Sequence, residues 1–315
     1  MENVKMLRVT SSPHVRGART TRSIMGNVAC ALVPAGAMGV FYFGYRAAVI
    51  ILIACVAAVA CEFLYNYLTR KRQTVGDLSA VVTGLLLAYN LPASVPYWMP
   101  AVGSALAILL VKMIFGGLGH NFVNPALAGR AILMTSWLSY MSGSAYNVAV
   151  RGVDAVSAAT PLAQQYDLWQ LFLGQAPGCI GEASKAALLL GGLYLVFRKV
   201  ITWHIPVTMA GLVFALSWAT SGKLYGTIDS GVYQLLSGGL LLGAIFMATD
   251  YSTSPVTWLG KLIFAAGCGL MAFIIRYFSS MAEGVSYSIL FMNLFVPLID
   301  RFTKPRVYGG AKKNA

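Results

Sequence analysis

Apolar runs separated by short polar stretches repeat along the whole chain. Ten can be marked, with approximate limits 24–43, 47–68, 78–91, 97–116, 124–141, 184–199, 204–220, 232–249, 257–278 and 285–301. Most approach the roughly 20 residues that a helix needs to cross a bilayer. The pattern predicts an all-α polytopic membrane protein with about ten transmembrane helices. The third run is short and ends at Asn90-Leu91-Pro92, and the fifth opens at Asn124-Pro125, so interrupted helices are expected there.

The two halves echo each other. Residues 83–98 read TGLLLAYNLPASVPYW and residues 238–258 read GGLLLGAIFMATDYSTSPVTW. Each is followed by a long apolar span with a cation near its end, Lys112 or Arg276, and then by a segment bearing Asn and Pro, NPAL at 124–127 or NLFVPL at 293–298. Five spans per half is an odd number, so the second copy must be inverted, a 5+5 plan found in many transporters. The chain then divides into an N-terminal segment 1–23, a first five-helix repeat 24–141, a long loop 142–183, a second five-helix repeat 184–301 and a basic tail 302–315.

Composition narrows the class. Of 315 residues, 58% are hydrophobic and 10% charged, with a net charge of +13. A soluble domain carries about 25% charge. The composition therefore excludes a soluble enzyme, a disordered chain and a secreted disulfide scaffold. The basic excess lies between apolar runs rather than on one groove-like face, which argues against a nucleic-acid partner and fits the positive-inside rule. With the N-terminus inside, the inner segments hold Arg70-Lys71-Arg72, Arg198-Lys199, Arg301, Lys304, Arg306, Lys312 and Lys313. The outer ones hold Arg46, Arg151, Lys185 and Lys223. Both termini are expected in the cytoplasm and loop 142–183 outside. The first 23 residues are polar and basic and lack a signal-peptide core and cleavage site, so the first span is expected to be retained.

The five cysteines (Cys30, Cys55, Cys61, Cys179, Cys268) form no CxxC and have no His at metal spacing, so no disulfide framework and no metal site is expected from this chain alone. His14, His120 and His204 are isolated and receive no catalytic role; no catalytic residue is assigned.

The outer loop contains DAVSAATPL at 154–162. Thr160 precedes a proline, which pushes its backbone toward an extended conformation. Its neighbours are small, so its hydroxyl is accessible. No base lies nearby in sequence, and an unaided Thr is a weak nucleophile. On the residues alone this is either a presented hydroxyl or an ordinary loop in which Asp154 or Ser157 caps a turn.

DAVSAAT is similar to the flavinylation site of a family of membrane proteins found in two redox pumps. These are the D-type subunit of the Rnf electron-transport complex and the B-type subunit of the Na+-translocating NADH:quinone oxidoreductase. FGGLGHNFVNPALAGRA at 115–131 and FMATDYSTSPVT at 246–257 also resemble family stretches, with Tyr251 where Pro is common. The compact chain, with little polar sequence before its first span, resembles the Rnf member more. The resemblance implies that a flavin transferase moves FMN from FAD onto Thr160, recognising Asp154, Ser157 and Ala159; Ala158 stands where Gly is common. It implies covalent FMN, leaves room for a non-covalent riboflavin nearer the cytoplasmic side, and places the chain in a bacterial cytoplasmic (inner) membrane. The activity implied is electron transfer within a ferredoxin:NAD+ oxidoreductase that translocates Na+ or H+. The partners implied are the other Rnf-type subunits: the A-type and E-type membrane proteins, the flavinylated G-type protein, and the cytoplasmic B-type and C-type proteins. No strand–GxGxxG–helix pattern suggests a nicotinamide site here. Two alternatives remain at this stage. One is the B-type component of the quinone reductase. The other is a solute channel or transporter, because a 5+5 repeat with broken helices is similar to the urea and ammonium transporter architecture.

Polar residues inside the apolar runs are the remaining candidates. A charge at the bilayer centre costs about 2.5–3.5 kcal/mol on insertion scales, so it is functional, paired, or at a hydrated edge. Asp77 and Asp250 lie at the edges of the broken third and eighth runs, at similar places in the two halves. Asn90, Asn124 and Asp250 are candidates for an ion pathway; Asn90, Pro92, Asn124 and Pro125 could equally stabilise broken helices. Lys112 and Arg276 are expected to snorkel to the interface. Gly239 and Gly243 form a GxxxG suited to close packing.

Overall fold

The computed structural model describes residues 20–142, 167–224, 229–279 and 284–304. Among these the chain is all-helical, with an isolated β-bridge between Pro92 and Cys179. In chain order the helices are α1 (Thr21–Phe43), α2 (Tyr45–Leu68), α3 (Ser79–Tyr89), α4 (Trp98–Leu106), α5 (Pro125–Ser136), α6 (Leu168–Leu173), α7 (Lys185–Phe197), α8 (His204–Leu224), α9 (Asp229–Leu236), α10 (Leu240–Leu242), α11 (Trp258–Phe278) and α12 (Val285–Phe302). Helix α4 continues as a π-helical stretch over Ala107–Met113, and α10 does so over Gly243–Met247. Four helices, α1, α2, α11 and α12, are long and apolar enough to cross a membrane, and shorter apolar helices accompany them. This is a multi-pass membrane architecture.

The helices are built for a lipid surround. Helix α2 buries Ala47, Ile50, Ala54, Ala58, Glu62 and Asn66, a stripe at helical spacing made largely of small and polar residues. Its larger apolar residues Leu52, Val56, Phe63, Leu64 and Leu68 point away from the protein. In water that arrangement would be inverted. In lipid, small residues gain by close packing and polar ones by internal partners.

The broken helices are as the Asn and Pro positions imply. Helix α3 has 11 residues and α5 has 12, about 16–18 Å each, well short of the roughly 30 Å hydrocarbon core. After α3 the chain turns through Leu91, Ala93 and Val95, all fully buried. It meets residues 176–184 there, where Ile180 N donates to Leu91 O at 3.0 Å. The last part of the predicted outer loop is therefore core: Cys179, Ile180, Glu182, Ala183 and Ser184 are all buried. Tyr89 pins this junction, donating to Leu32 O at 2.9 Å. Gly36 and Gly181 leave room for its ring, since a Cβ at either would overlap it.

Packing follows one scheme in both halves. Helix α2 packs on α3 and α4, as α8 packs on α9 and α11; α5 packs on α4, as α12 packs on α11. Helices α1 and α7 pack on each other across the halves. One cleft touches Met25, Ser79, Lys112, Val200 and Asp250, so the start of α1, the start of α3, the π-helical end of α4, the turn after α7 and the turn after the π-helical end of α10 share one end of the molecule. We call this the basic face, because Arg198 and Lys199 also lie there. Trp203 immediately precedes α8 and Trp258 begins α11, while Trp98 and Trp137 pack edge-on between the start of α4 and the end of α5.

Helix α2 packs closely against α3. A Cβ on Gly84 would stand 2.8 Å from Ala54 O and 2.9 Å from Cys55 Cα, both backbone atoms that cannot move aside. Gly84→Val is expected to cost about 1–3 kcal/mol, read as a lower unfolding midpoint in detergent. Gly211→Ala, whose Cβ meets open space, is expected to leave the midpoint unchanged or higher.

Candidate functional site

The flavinylation motif, Asp154, Ser157, Ala159 and Thr160, lies outside the described residues. The chain is described again from Asp167, and α6 leads directly into the buried stretch 176–184. The three ion-pathway candidates are described, and the structure gives each a different setting.

Asn90 and Asn124 belong to a polar layer between the halves. Asn90 Nδ2 donates to Leu86 O at 2.7 Å, and Arg130 Nη1 donates to Asn90 Oδ1 at 3.1 Å and to Ser286 Oγ at 2.6 Å. Cys179 Sγ reaches Asn90 O at 3.3 Å. Asn124 caps α5: its Oδ1 accepts from Ala126 N and Leu127 N, and Pro125 fills the first helical position. Its Nδ2 donates to Met247 O at 3.2 Å, tying α5 to the π-helical end of α10. Asn293, its amide oriented to satisfy its neighbours, donates to Thr253 O and accepts from Asn124 N. Both candidate amides are thus engaged in holding broken helices together. Arg130 is the key residue that sequence reasoning missed. It is 3% exposed and links α5 to α12 and to the break after α3. Its signal was present, a single arginine inside the apolar fifth run.

Asp250 lies at the cleft on the basic face. Its Oδ2 accepts from Ser252 Oγ at 2.9 Å and Thr253 Oγ1 at 3.2 Å. Burial pushes its carboxyl up from the ordinary carboxylate range, against these hydrogen bonds and those from the backbone at 251–252. The cleft has apolar walls, Val28, Val82, Leu86, Leu195 and Phe246, with Ser79, Lys112, Asn121, Asn124 and Thr249 among its polar lining. Asn121 is buried and its Oδ1 has no hydrogen-bond partner among the described residues. An orphaned acceptor of this kind costs about 1–3 kcal/mol unless a ligand or water donates to it.

Asp77 and Asp250 are not counterparts. Asp77 precedes α3 and caps it through Ser79 N at 2.8 Å and Ser79 Oγ, and Ser79 lines the same cleft as Asp250. Positions related by an inverted repeat would sit at opposite ends; these share one.

Lys112 does not snorkel. It is 2% exposed, and its Nζ donates to Glu62 Oε2 at 2.6 Å and to Ser79 Oγ at 2.6 Å. Thr74 Oγ1 donates to the other Glu62 oxygen, and Asn66 Nδ2 to Thr74. The physical reason is that an acid on the facing helix, unreadable as a partner in sequence, makes the inward position cheaper than the interface. Arg276 also turns inward. It donates to Gln234 O at 2.7 Å, Gln234 Oε1 at 3.2 Å and Ser237 O at 3.0 Å, filling the break between α9 and α10. Beside it, Lys185 Nζ donates to Glu182 O and Gly238 O.

Chemically, the cleft offers a buried acceptor, a carboxylate and a paired cation against an apolar wall. Such a lining can meet a small ion or the polar edge of an amphipathic ligand. Among the described residues no group of His, Cys, Asp and Glu could hold a metal, and none of the described cysteines is joined in a disulfide. Lys112→Met leaves Glu62 as an uncompensated buried carboxylate, and it is expected to cost about 3–5 kcal/mol of stability. The double variant Lys112→Met/Glu62→Gln should recover most of that in the same detergent melt; equal midpoints for single and double variants would mean that the pair carries no coupling.

Known proteins share this chain almost from end to end. A family model described as the NQR2, RnfD, RnfE family matches residues 8–309. The chain is 47% identical to the D-type subunit of the Na(+)-translocating ferredoxin:NAD(+) oxidoreductase complex of Acetobacterium woodii, over 97% of this chain and 96% of that one. It is 44% identical to the D-type subunit of the proton-translocating ferredoxin:NAD(+) oxidoreductase complex of Clostridium ljungdahlii, over 96% of each. The D-type subunit of an ion-translocating oxidoreductase complex of Escherichia coli is 36% identical, over 98% of this chain and 99% of its own. With near-complete coverage at these identities, the chain belongs to the NQR2, RnfD, RnfE family.

Proposed function

We propose that this chain is the D-type membrane subunit of an ion-translocating ferredoxin:NAD+ oxidoreductase, and that it carries electrons on FMN esterified to Thr160. The observation that carries the reading is the near-complete alignment with two D-type subunits named for that reaction. The quinone-reductase and solute-transporter readings gain no comparable support. One of those relatives is named for Na+ and the other for protons, at 47% and 44% identity, so similarity alone does not favour either ion.

Covalent attachment has a physical purpose. A phosphodiester to Thr160 makes the local concentration of flavin permanent and restricts its positions. A flavin so held supplies one-electron redox chemistry, and the protein supplies position and electrostatics. In this reading Asp154, Ser157 and Ala159 are what the transferase recognises. The chain exchanges electrons with the flavinylated G-type protein, beside the A-type and E-type membrane proteins, while the cytoplasmic B-type and C-type proteins handle the soluble substrates.

Charge sets the topology of this reading. The basic face, with Arg70-Lys71-Arg72, Arg198-Lys199 and Arg301, is cytoplasmic by charge, and the loop bearing Thr160 is then extracytoplasmic. Helices α1–α5 and α7–α12 form the 5+5 inverted repeat; the matched packing of α2 and α8, and of α5 and α12, supports it.

In this reading a second, non-covalent riboflavin would sit in the cleft on the basic face. Asn121 Oδ1 is an orphaned acceptor suited to a ring N–H, and Phe246 with the aliphatic residues around it forms an apolar wall. The ion route rests on Asp250 rather than on Asn90 and Asn124, whose amides hold the breaks closed.

Three measurements test the parts separately. Coexpressed with its transferase, the chain should give a fluorescent band on a denaturing gel, and Thr160→Ala should give a dark one; a dark wild-type band would sink the covalent-FMN reading. Asn121→Leu should lose the flavin released by denaturation while keeping the band. Asp250→Asn, assembled in the complex, should lower electron-driven ion uptake into vesicles at least tenfold while both flavins stay bound; unchanged uptake would remove Asp250 from the route.

A further inference from the structure

Helix α2 ends in a turn that folds back along its own last residues. Thr69 N donates to Tyr65 O, Arg70 N to Tyr67 O and Lys71 N to Asn66 O, so the turn closes the carbonyls left free at the helix end. Arg70 takes a left-handed conformation there, with φ of 52°. Gln73 Nε2 reaches Phe63 O, and Lys71 stacks over the Tyr65 ring at 5.3 Å. The turn thereby holds Arg70 and Lys71, and the three consecutive cations Arg70, Lys71 and Arg72 are all exposed.

Among the described residues, the acids nearby do not balance their charge. Glu62 faces inward and is taken by Lys112 and Thr74. Asp77 is taken by Ser79. Directly alongside the turn runs an open groove lined by Cys55, Val56, Val59, Ala60, Phe63 and Val75, almost without polar surface. Val75 follows the turn, so groove and cations meet. From Cys55 to Phe63 the groove follows α2 for about 12 Å, close to the roughly 15 Å that one leaflet contributes to the hydrocarbon core.

We infer that the turn and the groove form one site for an anionic phospholipid, with the phosphate on Arg70, Lys71 and Arg72 and an acyl chain along Cys55–Phe63. Charge selects the headgroup: three uncompensated cations at a membrane surface attract anionic lipid. The apolar groove selects a lipid over a free anion, because phosphate alone leaves it empty. The depth selects a chain within one leaflet over a polypeptide that would have to cross both. The site does not depend on the redox reading; it needs only a membrane.

The test uses the full chain, delipidated in detergent at about 0.15 M salt, with lipid retention read by native mass spectrometry. Phosphatidylglycerol should be retained in preference to phosphatidylcholine of the same chains. Each cation near the headgroup contributes about fivefold, so Arg70→Gln/Lys71→Gln/Arg72→Gln should weaken phosphatidylglycerol retention roughly 100-fold. Ala60→Trp, which fills the groove and leaves the charge alone, should also weaken it. Surface changes of this kind preserve folding, checked by the unfolding midpoint. Equal retention of the two lipids would overturn the site, as would retention that survives either variant. Competition by glycerol phosphate as effective as competition by the lipid would reduce it to an anion patch and overturn it too. In the assembled complex, a photo-crosslinker at Val56 should label lipid; labelling of a neighbouring protein would overturn it.

Discussion

Each break in a helix of this chain frees backbone donors and acceptors where lipid and packed side chains keep water out, and every such group must then find a partner inside the protein. That constraint organises the structure. Asn124 meets the first N–H groups of α5, Arg276 meets the carbonyls freed between α9 and α10, and the chain after α3 borrows a backbone partner from Ile180. The half-helices exist because these partners exist. Without them α3 and α5 would be short apolar pieces with nowhere stable to end.

The same partners join the two halves. Arg130 reaches from α5 to Ser286 on α12 and to Asn90 at the end of α3, and Asn124 reaches Met247. These contacts cross the middle of the molecule through polar atoms rather than through bulk packing. Apolar packing between helices adds little direction in lipid, since tails are as apolar as leucine. Hydrogen bonds of fixed geometry therefore set how the halves sit, and they do so around the cleft on the basic face.

That arrangement bears on electron transfer in a simple way. A carrier must be held at a fixed place while its surroundings stay dry. The halves supply a rigid, water-poor frame. The cleft beside that frame holds an acceptor without a partner among the described residues, a carboxylate and a cation whose charge is compensated by Glu62. A compensated cation can sit beside a ligand without the cost of a bare buried charge. Membership of the NQR2, RnfD, RnfE family agrees with such a frame.

Local patterns along the chain were enough to establish the class and most of the elements. Apolar run length is a property of neighbouring residues, and it marked the spans. Asn-Pro and Asn-Leu-Pro marked the breaks, because proline and a capping asparagine act on their own neighbours. The three motif stretches marked the family. The destination of the charges emerged only on folding. Lys112 and Arg276 read as interfacial anchors because a lone cation near a span end has no visible partner along the chain. Glu62 lies 50 residues from Lys112 and meets it only when α2 packs against the end of the fourth span. Residues 176–184 read as loop, yet they fill the space beneath α3. Pairings between helices depend on which faces meet, and no single stretch of sequence carries that information.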